Sequence, residues 1–147
     1  MRIMRRLRVL FFVVLWGFSS GCTMKLPVVG AYYKEALTGK ADYNLFSGTS
    51  QIQLEDRARR VRCEGNTYGS YAPLLTLSGA GYGGEGEIKC SNGRLFKIRW
   101  ETLSWATGYG VGQDQNGDRM TFVFGMEQEQ AEDFLKKELP AILKRSR

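Results

Sequence analysis

The 147-residue chain contains no histidine. That absence excludes Ser-His-Asp and Cys-His catalysis and histidine general bases, and it removes most zinc sites, which draw on His alongside Cys or carboxylates. No pair of Asp or Glu stands out as an acid–base couple to fill the gap. Glu85 and Glu87 lie two apart on one strand face, and the register derived below gives each a cationic partner. The expectation is therefore a protein that is not an enzyme, with no catalytic residues, no metal site and no cofactor. Long apolar runs are missing too. The longest, Val9–Phe18 (VLFFVVLWGF), is too short to cross roughly 30 Å of hydrocarbon as a permanent helix.

Charge of one sign is scarcer than the total suggests. The formal net charge is +6, but Arg2, Arg5, Arg6 and Arg8 precede the apolar run and every acidic residue follows it. Beyond residue 22 the balance falls to about +2, no argument for a nucleic-acid partner. Roughly 125 residues then remain, enough for one core and not for two.

The first residues have the three parts of a secretory signal: the arginines, the apolar core, and the small residues Ser19, Ser20 and Gly21. Ser20, Gly21 and Cys22 at its end resemble the lipobox of bacterial lipoproteins, although Ser19 stands where that motif has an aliphatic residue. The resemblance covers about a sixth of the chain. It implies that residues 1–21 are removed and that Cys22 becomes an acylated first residue, attached to a membrane almost permanently once more than one chain is buried. Thr23 and Met24 stand where Asp would mark retention in the inner membrane, so the resemblance implies an outer-membrane anchor facing the periplasm.

Cysteine is sparse and odd in number, with three in the sequence. If Cys22 is acylated, Cys63 and Cys90 remain as a disulfide pair in an oxidising compartment.

Residues 22–40 mix Pro27, Gly30 and Gly39 with AYYKEAL and read as a lipid-anchored tether holding at most a helical turn or an edge strand. From residue 41 onward, β-rich runs (YNLF, TSQIQL, RRVRC, PLLTL, GEIKC, LFKIRWETL, GYGVGQ, RMTFVFG) alternate with turn residues. This predicts a mainly β domain over 41–147, an antiparallel meander closing into a barrel or folding into a sandwich. A three-residue turn at Ser91-Asn92-Gly93 sets Glu87 against Lys97, Glu85 against Arg99 and Ile88 against Phe96. A two-residue turn at Asn116-Gly117 sets Asp114 against Arg119, Gln113 against Met120, Val111 against Phe122 and Tyr109 against Phe124, with Gly108, Gly110 and Gly112 on the other face. An amphipathic helix over about 126–143 presents Ala131, Phe134, Leu135 and Leu139 and is kinked or stopped by Pro140. The glycine trough offers it a place for close backbone approach.

Three short motifs have bland explanations. Gly79, Gly81 and Gly84 spell G-x-G-x-x-G, but a strand pattern follows where a dinucleotide site needs a helix. Asp114, Asn116 and Asp118 begin like a calcium loop, yet Arg119 and Gly125 occupy its sixth and twelfth positions. Arg57, Arg59, Arg60 and Arg62 form the densest basic cluster and read as a solvated strand edge that discourages aggregation.

The most plausible binding surface is the loop holding Tyr71, Ser78, Gly79, Gly81 and Tyr82. Ser78–Tyr82 loosely resembles the Ser-Gly-x-x-Tyr element of membrane-bound C-type lysozyme inhibitors, which makes lysozyme inhibition the alternative function. The leading expectation is an envelope lipoprotein that binds a protein, glycan or lipid component or supports an assembly at the membrane.

Overall fold

A computed structural model describes residues 22–32, 35–58, 60–69 and 79–145. Eight strands, β1 (Thr23–Tyr32), β2 (Glu35–Asn44), β3 (Thr49–Asp56), β4 (Arg62–Gly69), β5 (Gly83–Cys90), β6 (Leu95–Thr102), β7 (Gly108–Asp114) and β8 (Arg119–Phe124), precede two helices, α1 (Gln128–Lys137) and α2 (Leu139–Arg145). Each strand pairs antiparallel with its chain neighbours, and β8 returns to β1 through Val28↔Phe124 to Tyr32↔Met120, closing an up-and-down barrel. Of the two architectures the sequence allowed, closure is the one adopted, and it gives every strand a neighbour on both sides, with the start of β1 before Val28 paired to β2 alone.

Side-chain alternation gives the barrel an apolar interior and a polar wall. In β6, Phe96, Ile98, Trp100 and Thr102 are buried while Leu95, Lys97, Arg99 and Glu101 are exposed. The same period places Leu37, Ala41 and Tyr43 of β2, Ile52 and Leu54 of β3, and Ile88 and Cys90 of β5 inside. Charges outside and hydrocarbon inside are the reverse of a lipid-spanning barrel, so this wall faces water.

The supposed tether is part of that wall. Residues 23–32 and 35–44 are the first two strands, paired over ten positions from Thr23↔Asn44 to Tyr32↔Glu35. Leu26 and Val28 alternate with Lys25 and Pro27, a half-buried strand pattern that Pro27 and the glycines disguised. The run PLLTL, read as a strand, lies outside the described residues.

The β5–β6 hairpin has the expected register, with Glu87↔Lys97, Glu85↔Arg99 and Ile88↔Phe96. Its loop places Gly93 at φ 84°, where a left-handed residue is required.

The β7–β8 register is one residue away from the expected one. Asp114 pairs with Asp118 through a 3.0 Å bond from its amide, leaving a three-residue loop of Gln115, Asn116 and Gly117. Gln113 therefore faces Arg119, and Gly112, Gly110 and Gly108 face Met120, Phe122 and Phe124. A single-residue slip turns a whole strand over, so Tyr109 and Val111 point outward and the glycines inward. The reason is steric. A Cβ on Gly110 would lie 2.1 Å from the Phe122 ring, and one on Gly108 2.2 Å from the Phe124 ring. The glycine trough is the bed of the β8 aromatics, not a seat for the helix.

The helices instead cover the outer wall over β1, β8 and β7. Ala131, Phe134 and Leu139 pack with Val29, Val123 and Tyr109, and Leu135 borders the same cluster. The Tyr109 and Phe134 ring centroids are 6.4 Å apart. The helical segment breaks at Glu138, and Pro140 falls in the first turn of α2, where its missing amide hydrogen costs nothing.

Cys63 and Cys90 are directly opposed across β4 and β5 and are joined by a disulfide. Cys22 is free and exposed.

Candidate functional site: two unlike barrel ends

The far end, where β1–β2, β3–β4, β5–β6 and β7–β8 connect, is closed by Arg94. Its guanidinium binds the carboxylates of Asp114 and Asp118, the latter at 2.7 Å. It also stands 5.9 Å from the Tyr32 ring centroid, and Tyr32 meets Phe96 edge-on at 5.1 Å. Asp114 accepts further bonds from the amides of Asn116 (2.8 Å) and Asp118 (2.9 Å). The residues that looked like a calcium loop are thus a turn whose acids are held by an arginine and by backbone. Among the described residues no group of three metal-ligating side chains exists.

Burial works to raise the Asp114 pKa, but Arg94 and the two amides outweigh it and hold the carboxyl below its ordinary 3.8. A carboxyl with a depressed folded-state pKa contributes stability above its unfolded value and loses it as pH falls through the folded one. Urea midpoints should therefore decline as pH is lowered from about 4 toward 2, and Asp114→Asn should flatten that decline while lowering the neutral-pH midpoint. An unchanged acid slope in Asp114→Asn would refute the assignment.

The arginine-rich segment lies at this end too. Arg62 pairs with Glu55 at 3.1 Å and Arg60 with Asp56 at 3.7 Å, while Arg57 reaches Glu132 of α1 at 3.9 Å. The cluster was expected to protect a strand edge, but β3 and β4 each have a neighbour on both sides. It belongs to the β3–β4 connection, with three of its arginines paired to acids; Arg59 lies outside the described residues.

The N-terminal end is built differently. Here Cys22 enters β1, and β2–β3, β4–β5 and β6–β7 connect. Inside it Trp100 is ringed by Tyr82 at 5.4 Å, Phe124 at 6.2 Å and Tyr43 at 6.3 Å, all edge-on. A cavity of about 30 Å³ remains, lined by Tyr43, Thr67, Trp100, Trp105, Phe122 and Phe124. That is room for one or two water molecules and far below the few hundred Å³ of a small-molecule pocket. Trp100 Nε1 is buried here with no hydrogen-bond partner among the described residues. Burial, together with the neighbouring Tyr82, pushes the Tyr43 phenol far above its ordinary pKa, so it stays a neutral hydroxyl.

The expected binding loop is divided by the structure. Tyr82 is fully buried, contrary to its reading as a surface residue. Its amide donates to Thr102 Oγ1 at 3.0 Å, the Thr102 hydroxyl donates back to its carbonyl at 3.0 Å, and its own hydroxyl fits against Gly69, where a side chain would collide. Gly79 and Gly81 take φ of 65° and 72°, and Gly79 is covered by the Trp105 ring. Tyr71 and Ser78 lie outside the described residues. Gly83–Cys90 is a strand, so the G-x-G-x-x-G glycines do not open a helix.

Sequence reasoning missed Phe46 and Trp105, exposed by 65% and 40%. Both sit in turns at the N-terminal end, where aromatic residues flanked by Ser, Thr and Gly were the available signal. A concavity of about 930 Å³ runs along the outer wall from β5 to β8, lined by Tyr68, Glu85, Glu87, Lys97, Arg99 and Arg119 among others. Among the described residues no helix is long and apolar enough to cross a membrane.

No protein-family model matches the chain, and no curated protein sequence does. Among solved structures, a de novo designed fluorescence-activating β-barrel is similar to it at 10% identity. The alignment covers 74% of this chain and 96% of the designed one, with a TM-score of 0.49.

Proposed function

We propose that the protein is a non-enzymatic lipoprotein of the bacterial cell envelope: a water-facing barrel acylated at Cys22, anchored in the outer membrane and exposed to the periplasm. The observation that carries the reading is the partition of the three sulfurs. Cys63 and Cys90 are consumed by a disulfide, and Cys22 alone is free, exposed and placed immediately before β1. A paired disulfide suits an oxidising compartment, and the leader pattern ending at Gly21 supplies a reason for the third thiol. The barrel core is filled, so binding falls to the surface, and the charged concavity along β5 to β8 suits a protein or glycan of the envelope better than a small ligand.

Replacing the acylated residue provides the test. Full-length chain expressed in a bacterial host with labelled fatty acid should incorporate label and sediment with membranes. Cys22→Ala should lose the label and appear in the soluble fraction, with its fold unchanged by circular dichroism. Equal labelling of the two chains would refute the anchor.

A further inference from the structure

We propose that the N-terminal end of the barrel seats on the bilayer surface, with Phe46, Leu103 and Trp105 in the interfacial layer, so that the acylated domain stands upright on the membrane and does not swing from a tether. The inference rests on the lipoprotein reading above and adds to it an orientation and a lipid-contacting surface.

Geometry supplies the first argument. Cys22 has no linker, because β1 begins at Thr23 and the Cys22 carbonyl accepts a bond from the Leu45 amide at 3.4 Å. Acyl chains on Cys22 are therefore fixed to the barrel beside the β2–β3 turn, whose tip is Phe46. This corner also projects: β1 pairs with β2 from Thr23 but with β8 only from Val28.

Charge supplies the second. The sequence holds no charged residue between Asp42 and Glu55, between Glu64 and Glu85, or between Glu101 and Asp114. Those three windows contain the three connections of the N-terminal end. The far end carries Arg57, Arg60, Arg62, Arg94, Arg119, Asp114 and Asp118 instead. The three strand connections of this end are thus uncharged and bear Phe46, Leu103 and Trp105 partly or largely exposed, with Lys25 of β1 and Glu127 and Glu129 just beyond β8 as exposed charges flanking them, while wall and far end are charged. Aromatic residues with an apolar body and a hydrogen-bonding edge favour the headgroup boundary, and charged side chains avoid it.

Tryptophan emission reads this directly. In a Trp16→Phe background only Trp100, buried, and Trp105 remain. Protein extracted from membranes is reconstituted into phosphatidylethanolamine and phosphatidylglycerol vesicles, with or without acyl chains brominated near the headgroup, and its mass is measured in parallel. Because Cys63 and Cys90 are bonded, a second sample can be attached through Cys22 to a maleimide-headgroup phospholipid, which anchors the barrel whether or not the cell acylates it. Bromine should lower emission about twofold in both samples, Trp105→Phe should abolish the effect, and Phe46→Ser should weaken it. Samples that float with the vesicles yet show equal emission in plain and brominated lipid would overturn the seating. An unacylated mass combined with quenching in the maleimide sample would instead overturn the anchor and leave the seating standing.

Discussion

Phe122→Ala is expected to lower the unfolding free energy by about 4 kcal/mol, the middle of the range for removing a buried phenylalanine. Phe122 is 1% exposed, and its ring lies over Gly110, a residue with no side chain to move into the space. A cavity that cannot collapse is the costly kind. Gly110→Ala alone should also destabilise, by about 1–3 kcal/mol, because it forces the same ring aside. Together the two changes should cost clearly less than their sum, since the added methyl enters space the ring has left. Urea denaturation of the four proteins in this cycle measures the coupling. Additive losses would mean that Gly110 and Phe122 do not meet, as in the register with Val111 opposite Phe122.

Removing the Cys63–Cys90 bond should be nearly as damaging. Its sequence separation is 27, and a loop of that size restricts the unfolded chain by about 3.5 kcal/mol on the entropy model. For a domain of this size that corresponds to a fall in Tm on the order of 10 °C. The bond joins β4 to β5, whose connection is the longest between strands consecutive in the chain, so among those pairs it fixes the one whose closure in the unfolded chain is most costly. Cys63→Ala/Cys90→Ala should show this loss, and reductant should lower the Tm of the parent but not of the double variant. Equal sensitivity of both proteins to reductant would contradict the assignment.

What could be read from the sequence depended on whether a signal was local. The β5–β6 register followed from one turn and two cross-strand charge pairs, all within twenty residues. The helix was legible from Ala131, Phe134, Leu135 and Leu139, and its break from Pro140. The β7–β8 hairpin misled because Asn-Gly fits two loop lengths. The choice between them was made by Arg94, from outside the hairpin, gripping Asp114 and Asp118, and by β8 aromatic rings that need glycine opposite them once the barrel closes and turns them inward. β1 and β2 were hidden for a related reason. Pro27 and Gly39 argue against strands locally, but Pro27 points outward, and Gly39 lies where a Cβ would be 1.8 Å from the Gln53 carbonyl oxygen. At such a position only glycine lets neighbouring strands approach as tightly as a small barrel demands. Tyr82 was misplaced because glycine neighbours mark a loop without saying which way its aromatic residue turns.

The candidate surface was legible only in part. The leader pattern and Cys22 are written in sequence, whereas the collection of three uncharged connections at one end depends on strand order. An up-and-down barrel sends alternate connections to opposite ends, so charge that looks evenly scattered along the chain becomes segregated along the barrel axis.

Intact mass of the protein extracted from bacterial membranes under non-reducing conditions tests the central claim most directly. The account requires a chain beginning at Cys22, heavier than the unmodified polypeptide by its acyl groups and lighter by the two hydrogens lost to the Cys63–Cys90 bond. A chain beginning at Met1 with three unmodified thiols would contradict it.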